Sequence, residues 1–284
     1  MEAHTRESKS QVQIKTNVST LTLTPLKNIP FIRRDDDLAD ILVQSLRGSD
    51  IALENDDILV VTSKIVSKAE GRMVNLATVT PSERARKLAR QSEKDPRVVE
   101  LMLQESNEIL RVRVGTIIVE HRLGFVCANA GIDHSNVNPT PTPSPNGYIW
   151  GGESGEGYVL LLPTDPDASS RVIREKIESQ TGKRIGVMII DSHGRAWRIG
   201  TVGMCIGLSG LPALMDERGW KDLFGYELKI TVVGVADELA AAASLVMGQA
   251  AEGTPAVHVR GFPYPLGEGS LRELIRPKEQ DLFR

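Results

Sequence analysis

The segment Arg184–Arg198, RIGVMIIDSHGRAWR, combines a buried-strand pattern with a cluster of polar groups. Its apolar run, Ile185–Ile190, predicts a strand buried in a sheet. The run stops at Asp191 and Ser192, so the strand would deliver a carboxylate and a hydroxyl to one edge of that sheet. Such an edge is a usual place for a metal-binding carboxylate at an active site. A lone aspartate at this position is, however, more often a cap or a turn residue.

The composition of the 284-residue chain is that of a globular enzyme, with 40% hydrophobic and 25% charged residues. The formal net charge of -3 gives no electrostatic reason to expect binding to nucleic acid or to anionic lipid. We therefore expect neither a nucleic acid nor a membrane among its partners.

The amino-terminal residues and the cysteines indicate a cytoplasmic protein. Met1–Lys15 mixes both charges and lacks an apolar core, so it resembles neither a signal peptide nor a membrane anchor. Cys127 and Cys205 both lie in apolar sequence, which predicts buried, reduced thiols and excludes a disulfide framework. We expect a flexible tail over residues 1–18, a single domain over 19–265 and a polar tail over 266–284.

Strands and helices are predicted to mix without strict alternation, which favours the α+β class over a doubly wound parallel sheet. Helices are predicted over 38–48, 81–93, 95–110, 165–180 and 236–249, and 63–70 is predicted to be a helix start or a turn. Strands are predicted over 14–30, 57–62, 116–121, 125–128, 158–162, 185–190, 228–235 and 255–260. The segment 138–157 holds four prolines and five glycines, which predicts a long surface loop. It would be either a functional lid or a mobile insertion.

Two further groups of polar residues could carry chemistry. Lys64 and Lys68 lie four residues apart and would share one helix face, where an anion between them would relieve their repulsion. Two solvated lysines are the simpler alternative. Asp133 follows a predicted strand in a turn-rich segment, and together with Asp191 it would suffice to hold Mg²⁺ beside substrate phosphates. The residues alone therefore predict an enzyme that binds an anionic ligand with Mg²⁺.

Several common catalytic motifs are absent from the sequence. It has no Walker phosphate loop, no G-x-S-x-G nucleophile elbow and no H-E-x-x-H. The five histidines are scattered, which makes a zinc site improbable.

Six runs, taken together, resemble the coenzyme F420-0:L-glutamate ligase family. They occur in the family's order from residue 29 to residue 261 and cover most of the chain. TSKIVSKAEGR and the NAGID..N pattern are the most specific of the matching motifs. The runs are IPFIRRDDDLADIL (29–42), DDILVVTSKIVSKAEGRMV (56–74), GFVCANAGIDHSNV (124–137), LLPTDPDASSRVIR (161–174), IIDSHGRAWRIGTVG (189–203) and VADELAAAASLVMGQAAEGTPAVHVRG (235–261).

The resemblance implies a reaction and an architecture. The reaction is GTP-dependent addition of L-glutamate to coenzyme F420-0, and of further γ-linked glutamates, through an acyl phosphate with release of GDP and phosphate. The implied cofactor is Mg²⁺ or Mn²⁺, with K⁺ as an additional ion. The implied architecture is an intertwined homodimer with largely antiparallel sheets and flanking helices.

The resemblance also implies roles for individual residues. Asp191 and Arg195 are predicted to be catalytic, and Arg195 is placed near substrate anions by its charge and position alone. The implied nucleotide contacts are Ile29, Pro30, Phe31, Ile32, Ser63, Lys64, Lys68, Asn136, Met247, Gly248, Gln249 and Gly253. The implied metal ligands are Asp133, Asp191, Ser192 and Gln249.

Three alternatives stay open at the level of sequence. The acceptor could be a different deazaflavin precursor, or the amino acid could differ from glutamate. A Mg²⁺ site with two aspartates could also serve a phosphate-ester or nucleotide hydrolase. A non-catalytic GTP-binding module is the third, although it would have no need for the whole set of lysines, aspartates and Gln249.

Overall fold

A computed structural model describes residues 20–137, 142–144, 147–149 and 157–282, the two short central segments as backbone only. The predicted tail over 1–18 and most of the predicted loop over 138–157 lie outside these residues. The strands are β1 (Thr22–Pro25), β2 (Ile58–Thr62), β3 (Met73–Asn75), β4 (Ser106–Arg113), β5 (Thr116–His121), β6 (Val126–Ala128), β7 (Thr142–Ser144), β8 (Gly147–Ile149), β9 (Tyr158–Leu160), β10 (Gly186–Arg195), β11 (Arg198–Ser209), β12 (Met215–Asp216), β13 (Val232–Val233) and β14 (Ala256–Arg260). The helices are α1 (Leu38–Gly48), α2 (Ser63–Ala69), α3 (Glu83–Ser92), α4 (Pro96–Gln104), α5 (Pro166–Thr181), α6 (Val235–Met247) and α7 (Leu271–Leu274).

The largest sheet has the strand order β1-β14-β2-β10-β11. Among the described strands only β2 and β10 pair in parallel, and all other pairs are antiparallel. The prediction of a mixed fold with largely antiparallel sheets is therefore confirmed. Among the described residues, no helix has both the length and the apolar composition to cross a lipid bilayer.

The central strand β10 is buried on both faces, as its apolar run predicts. Val187 and Ile189 pack into a core with α1 and α5 on one side of the sheet. Met188 and Ile190 pack into a second core with α6 on the other side. This division follows the two-residue period of a strand, in which successive side chains point to opposite faces. The result is a sheet with helices on both faces.

A smaller unit packs beside the central sheet. Strands β4, β5 and β6 form an antiparallel sheet in that order, and α3 and α4 pack with it around a third core. Phe125, at the start of β6, packs against both this core and the first. The unit matters for function because the chain leaves β6 through the turn that precedes Asp133.

Two local predictions were wrong. The helix predicted over 95–110 ends at Gln104, and the chain then enters β4, whose residues pair with β5. Of the strand predicted over 228–235, only Val232–Val233 forms a strand, and Ile230 is 89% exposed. The predicted polar tail from residue 266 begins with packed residues, since Leu266 and Leu271 are buried.

Gly207 marks a close approach between β11 and the start of α5. A Cβ at this position would lie 2.4 Å from Pro166 Cβ and 2.5 Å from the Pro166 carbonyl carbon, so the helix would have to move. We expect Gly207→Ala to lower the free energy of unfolding by about 2 kcal/mol, as overpacked cores do. Urea denaturation measures this loss. Gly267→Ala is the matched control because a Cβ there meets nothing within 4 Å, and equal stability of the two variants would contradict the prediction.

Candidate active site

A cavity of about 470 Å³ lies at the carboxyl ends of the two parallel strands, β2 and β10. Parallel strands end at the same edge of a sheet, so the residues that follow them meet there. Every predicted site residue except Arg195 lines this cavity. Those lining residues are Ile29, Pro30, Phe31, Ile32, Ser63, Lys64, Lys68, Asp133, Asn136, Asp191, Ser192, Met247, Gly248, Gln249 and Gly253.

Asp191 is held by side chains from two directions. Its position follows from the register, in which Ile190 of β10 lies opposite Thr62 of β2 and brings the next residues of both strands together. The Ser63 hydroxyl donates to Asp191 Oδ1 at 2.8 Å. His193 Nε2 lies 3.0 Å from Asp191 Oδ2, although its N–H is not aligned for a regular hydrogen bond. Ser63 was predicted as a nucleotide contact, and the structure shows that it also supports this carboxylate.

The electrostatics of the site keep Asp191 ionised. Burial alone would raise the pKa of Asp191, but His193, Ser63 and the Lys64 ammonium outweigh burial, so this pKa lies below its ordinary value. Asp133 shows the opposite balance. Burial raises the pKa of Asp133, the Lys64 ammonium partly offsets that effect, and the Asp191 charge adds to it. Two carboxylates with different proton affinities therefore face one cavity.

Asp133 is positioned by a tight turn after β6. Asn129 and Ala130 both have positive φ, at 53° and 54°, and reverse the chain direction. The backbone N–H of Asp133 then donates to Leu160 O, and the Leu160 N–H donates to Asp133 O, each at 2.9 Å. Its side chain accepts a hydrogen bond from Lys64 Nζ. The loop is thus tied to β9 on one side and to α2 on the other.

Lys64 and Lys68 lie on one face of the described helix α2, as their spacing predicts, and both line the cavity. Lys68 Nζ donates to Asn136 O at 2.7 Å. Burial and the neighbouring Lys64 ammonium both lower the pKa of Lys68. Two ammoniums that face one cavity favour a bound anion, because an anion offsets both the cost of burying the two charges and their mutual repulsion.

A short polar chain joins β10 to the end of α6. The Ser192 hydroxyl donates to Gln249 Oε1 at 2.8 Å. Gln249 Nε2 in turn donates to Ser244 Oγ at 3.0 Å. Asn136 Nδ2 donates to Ala250 O at 3.1 Å, so the loop that carries Asp133 is also tied to this segment. The contacts place the Gln249 amide oxygen at the Ser192 hydroxyl.

Arg195 lies away from the site that the sequence suggested for it. It is at the end of β10, and its Nη1 donates to Gly200 O at 3.3 Å across the hairpin. It does not line the cavity. Within one chain, its position therefore gives no support to a catalytic role.

Several cavity residues were missed from the sequence, notably His193, Ser244 and Glu252. The signal for His193 was present, since it lies two residues after Asp191 on the same strand and therefore on the same face. No comparable signal marked Ser244, an isolated hydroxyl in an alanine-rich helix.

The donor set fits a hard cation. Asp133, Asp191, Ser192 and Gln249 offer two carboxylates, a hydroxyl and an amide oxygen, and oxygen ligands of this kind suit Mg²⁺ and Mn²⁺. The described part of the chain holds no cluster of three or more His, Cys, Asp or Glu side chains arranged for a metal.

Comparisons with known proteins identify the family. Residues 27–261 match the sequence model described as F420-0:Gamma-glutamyl ligase. The coenzyme F420:L-glutamate ligase of Methanopyrus kandleri is 44% identical over 269 residues, which cover 93% of this chain and 98% of that protein. The enzyme of the same name from Methanocaldococcus jannaschii is 47% identical over 232 residues, or 82% of this chain and 86% of that protein. This chain belongs to the F420-0:gamma-glutamyl ligase family.

Proposed function

We propose that this protein is a GTP- and divalent-metal-dependent ligase that adds L-glutamate to coenzyme F420-0, and then adds further γ-linked glutamates. The observation that carries the proposal is the meeting of two lysines, two aspartates and the Ser192–Gln249 pair in one cavity. The relatives that match most of the chain are named as ligases for this coenzyme and L-glutamate. A cytoplasmic location is part of the proposal.

The nucleotide would bind along the lysine side of the cavity. Lys64 and Lys68 supply two positive charges on one face of α2, which suits a polyphosphate. Ile29–Ile32 forms an apolar wall of the same cavity and would pack against the uncharged part of the nucleotide. The choice of GTP among nucleotides rests on the family resemblance.

Asp133, Asp191, Ser192 and Gln249 would hold Mg²⁺ or Mn²⁺. When bound, such an ion neutralises phosphate charge and orients the phosphoryl group. Ser63 and His193 keep the Asp191 carboxylate in place from within the chain. No donor residues are assigned to K⁺, the additional ion that the resemblance implies.

The proposed reaction has two bond exchanges. A carboxylate oxygen of the acceptor attacks the γ-phosphorus of GTP, and the bond to the bridging oxygen breaks to leave GDP. The amine of L-glutamate then attacks the acyl carbon, loses a proton and expels inorganic phosphate. The contribution of this chain is to hold the phosphates with Lys64 and Lys68 and to place the reacting atoms together.

We also propose a homodimer. Large apolar side chains are exposed at the turn between β10 and β11, where Trp197 is 87% exposed and Ile199 is fully exposed. Leu223, Phe224 and Ile230 add to the exposed apolar surface. Exposed large apolar side chains of this kind are typical of an interface with another chain. Light scattering after size-exclusion chromatography tests whether the protein has twice the mass of one chain.

Mass spectrometry of the deazaflavin tests the function. The protein is incubated with coenzyme F420-0, L-glutamate, GTP and Mg²⁺, and each component is omitted in turn. Mass gains in glutamate units that vanish without GTP or metal are the expected result, and they count the residues added. Release of phosphate without acceptor and glutamate would instead favour a hydrolase. GTP binding without any turnover would favour a non-catalytic module.

A further inference from the structure

Lys64 and Glu252 are two charged residues of the cavity. Each contacts a group of this chain that a ligand would otherwise contact. Lys64 Nζ donates to Asp133 Oδ2, and both side chains are 29% exposed. The ammonium is therefore bound to one of the two carboxylates that would hold the metal. A cation that binds Asp133 has to displace this ammonium or share the carboxylate with a like charge.

Glu252 is a negatively charged residue that occupies a place where a bound anion would lie. Its Oε2 accepts a hydrogen bond from the Ala250 N–H at 2.8 Å. The N–H groups of Glu252 itself, of Ala250 and of Gln249 lower the pKa of Glu252, and the one of Ala250 makes a regular hydrogen bond, so backbone amides of one loop face the carboxylate. A convergent set of backbone amides is a usual site for a phosphate oxygen.

Gly248 makes room for this carboxylate. Its φ is +74°, and a Cβ on it would lie 2.2 Å from Glu252 Cδ, so the carboxylate packs directly on the glycine. The loop borders the cavity beside Gln249, which is one of the predicted metal ligands. The Glu252 carboxylate and the Lys64 ammonium therefore both lie on the walls of the same cavity.

We propose that Lys64 and Glu252 are internal counter-ions that hold the places of the metal and of a phosphate group, and thereby couple the binding of the two ligands. The proposal rests on the proposed function and describes how the same site is regulated. Metal alone must displace the ammonium from Asp133, and nucleotide alone must displace Glu252 from the amides. When both bind, Lys64 pairs with the phosphates and Asp133 is free to bind the metal. Each ligand then binds more tightly in the presence of the other.

The Lys64 half is tested by Mn²⁺ binding without nucleotide. Free Mn²⁺ is measured by electron paramagnetic resonance at pH 8. We expect Lys64→Met to bind Mn²⁺ about tenfold more tightly than the wild type, since the competing charge is gone. Lys64→Arg keeps the charge and should bind as the wild type does. Lys176→Met is the matched control, because Lys176 pairs with Asp37 outside the cavity.

The Glu252 half is tested by GDP binding in EDTA, measured by calorimetry. Glutamine has the same shape as glutamate but is a weaker acceptor for backbone amides because it lacks the charge. We therefore expect Glu252→Gln to bind metal-free GDP about fivefold more tightly than the wild type. Glu279→Gln, an exposed substitution away from the cavity, should leave GDP affinity unchanged.

The outcomes separate this inference from the proposed function. If the wild type binds GDP with Mn²⁺ but Lys64→Met does not tighten Mn²⁺ binding, the Lys64 half is overturned. Unchanged or weaker binding of metal-free GDP by Glu252→Gln overturns the other half. Circular dichroism of each variant establishes that it is folded. If the wild type does not bind GDP with Mn²⁺ at all, the proposed nucleotide site fails, and the inference fails with it.

Discussion

Replacing Asp191 with asparagine is expected to lower kcat/KM for glutamate addition by at least about 1,000-fold. Asparagine keeps the shape of the side chain and removes the negative charge. Ser63 and His193 would then surround a neutral amide that cannot balance the charge of a divalent cation. The loss should therefore appear in Mn²⁺ binding in the presence of GDP as well as in the mass-spectrometric assay of product.

The control for this variant is Asp37→Asn. Asp37 accepts a hydrogen bond from Lys176, but it lies outside the cavity and caps α1. Asparagine is a good helix cap, so this variant should retain its fold and its turnover within about twofold. Wild-type turnover by Asp191→Asn would remove Asp191 from the metal site. Equal losses in both variants would indicate a general effect of removing an aspartate.

The sequence predicted the central elements because their signals are local. The apolar run of β10 and the polar residues that follow it lie in one continuous segment. α5 begins after Asp165, whose side chain caps it, and ends before Gly182, which has φ of 68°. Caps and periodicity of this kind depend on a few adjacent residues, so they can be recognised without knowledge of the tertiary contacts.

The wrong predictions concern segments whose structure is set by distant partners. Residues 106–110 have apolar positions compatible with a helix, but they pair with β5 instead. The segment 228–235 alternates as a strand does, yet only Val232–Val233 forms a strand, which pairs with β12. Strand formation depends on cross-strand neighbours more than on intrinsic preference. The secondary structure of these two segments therefore could not be predicted from their own residues.

Many residues of the site were predictable from the sequence, but the contacts between them were not. Spacing and position singled out the lysines and aspartates, the family resemblance implied their roles, and all of them line the cavity. The ion pair of Lys64 with Asp133 joins residues 69 positions apart, and the Asn136 contact to Ala250 spans 114. Such pairs depend on how the β6 turn and the end of α6 are brought to the parallel strands. The single parallel pair among the described strands, β2 with β10, is the feature that gathers them.

Replacing Asp57 with asparagine is expected to lower the free energy of unfolding by about 3 kcal/mol at pH 7. Asp57 precedes β2 and is 1% exposed, and Arg260 Nε and Nη2 donate to its two oxygens at 2.9 and 2.7 Å. His258 Nε2 lies 2.9 Å from Oδ2. The variant keeps the volume but leaves the Arg260 and His258 groups without their carboxylate. Urea denaturation at pH 7 measures the loss.

The acid dependence of this effect has a definite sign. Burial would raise the pKa of Asp57, but Arg260 and His258 outweigh burial and lower this pKa from 3.8 to about 2. The folded state therefore binds the proton less readily than the unfolded state. The stabilisation is fully present above pH 3.8 and is lost as the pH falls towards 2, an effect of about 2 kcal/mol. The stability gap between wild type and Asp57→Asn should narrow over that interval.

A second arginine–aspartate pair in the same chain is exposed to solvent and tests whether geometry or burial sets the strength of such a contact. Arg218 Nε and Nη2 donate to Asp216 at 2.8 and 2.6 Å, nearly the same arrangement as in the buried pair. The side chain of Asp216 is 42% exposed, whereas that of Asp57 is 2% exposed. Because solvent screens the exposed pair, Asp216→Asn should cost less than about 1 kcal/mol. Equal losses from the two substitutions would show that burial does not set the strength of this contact.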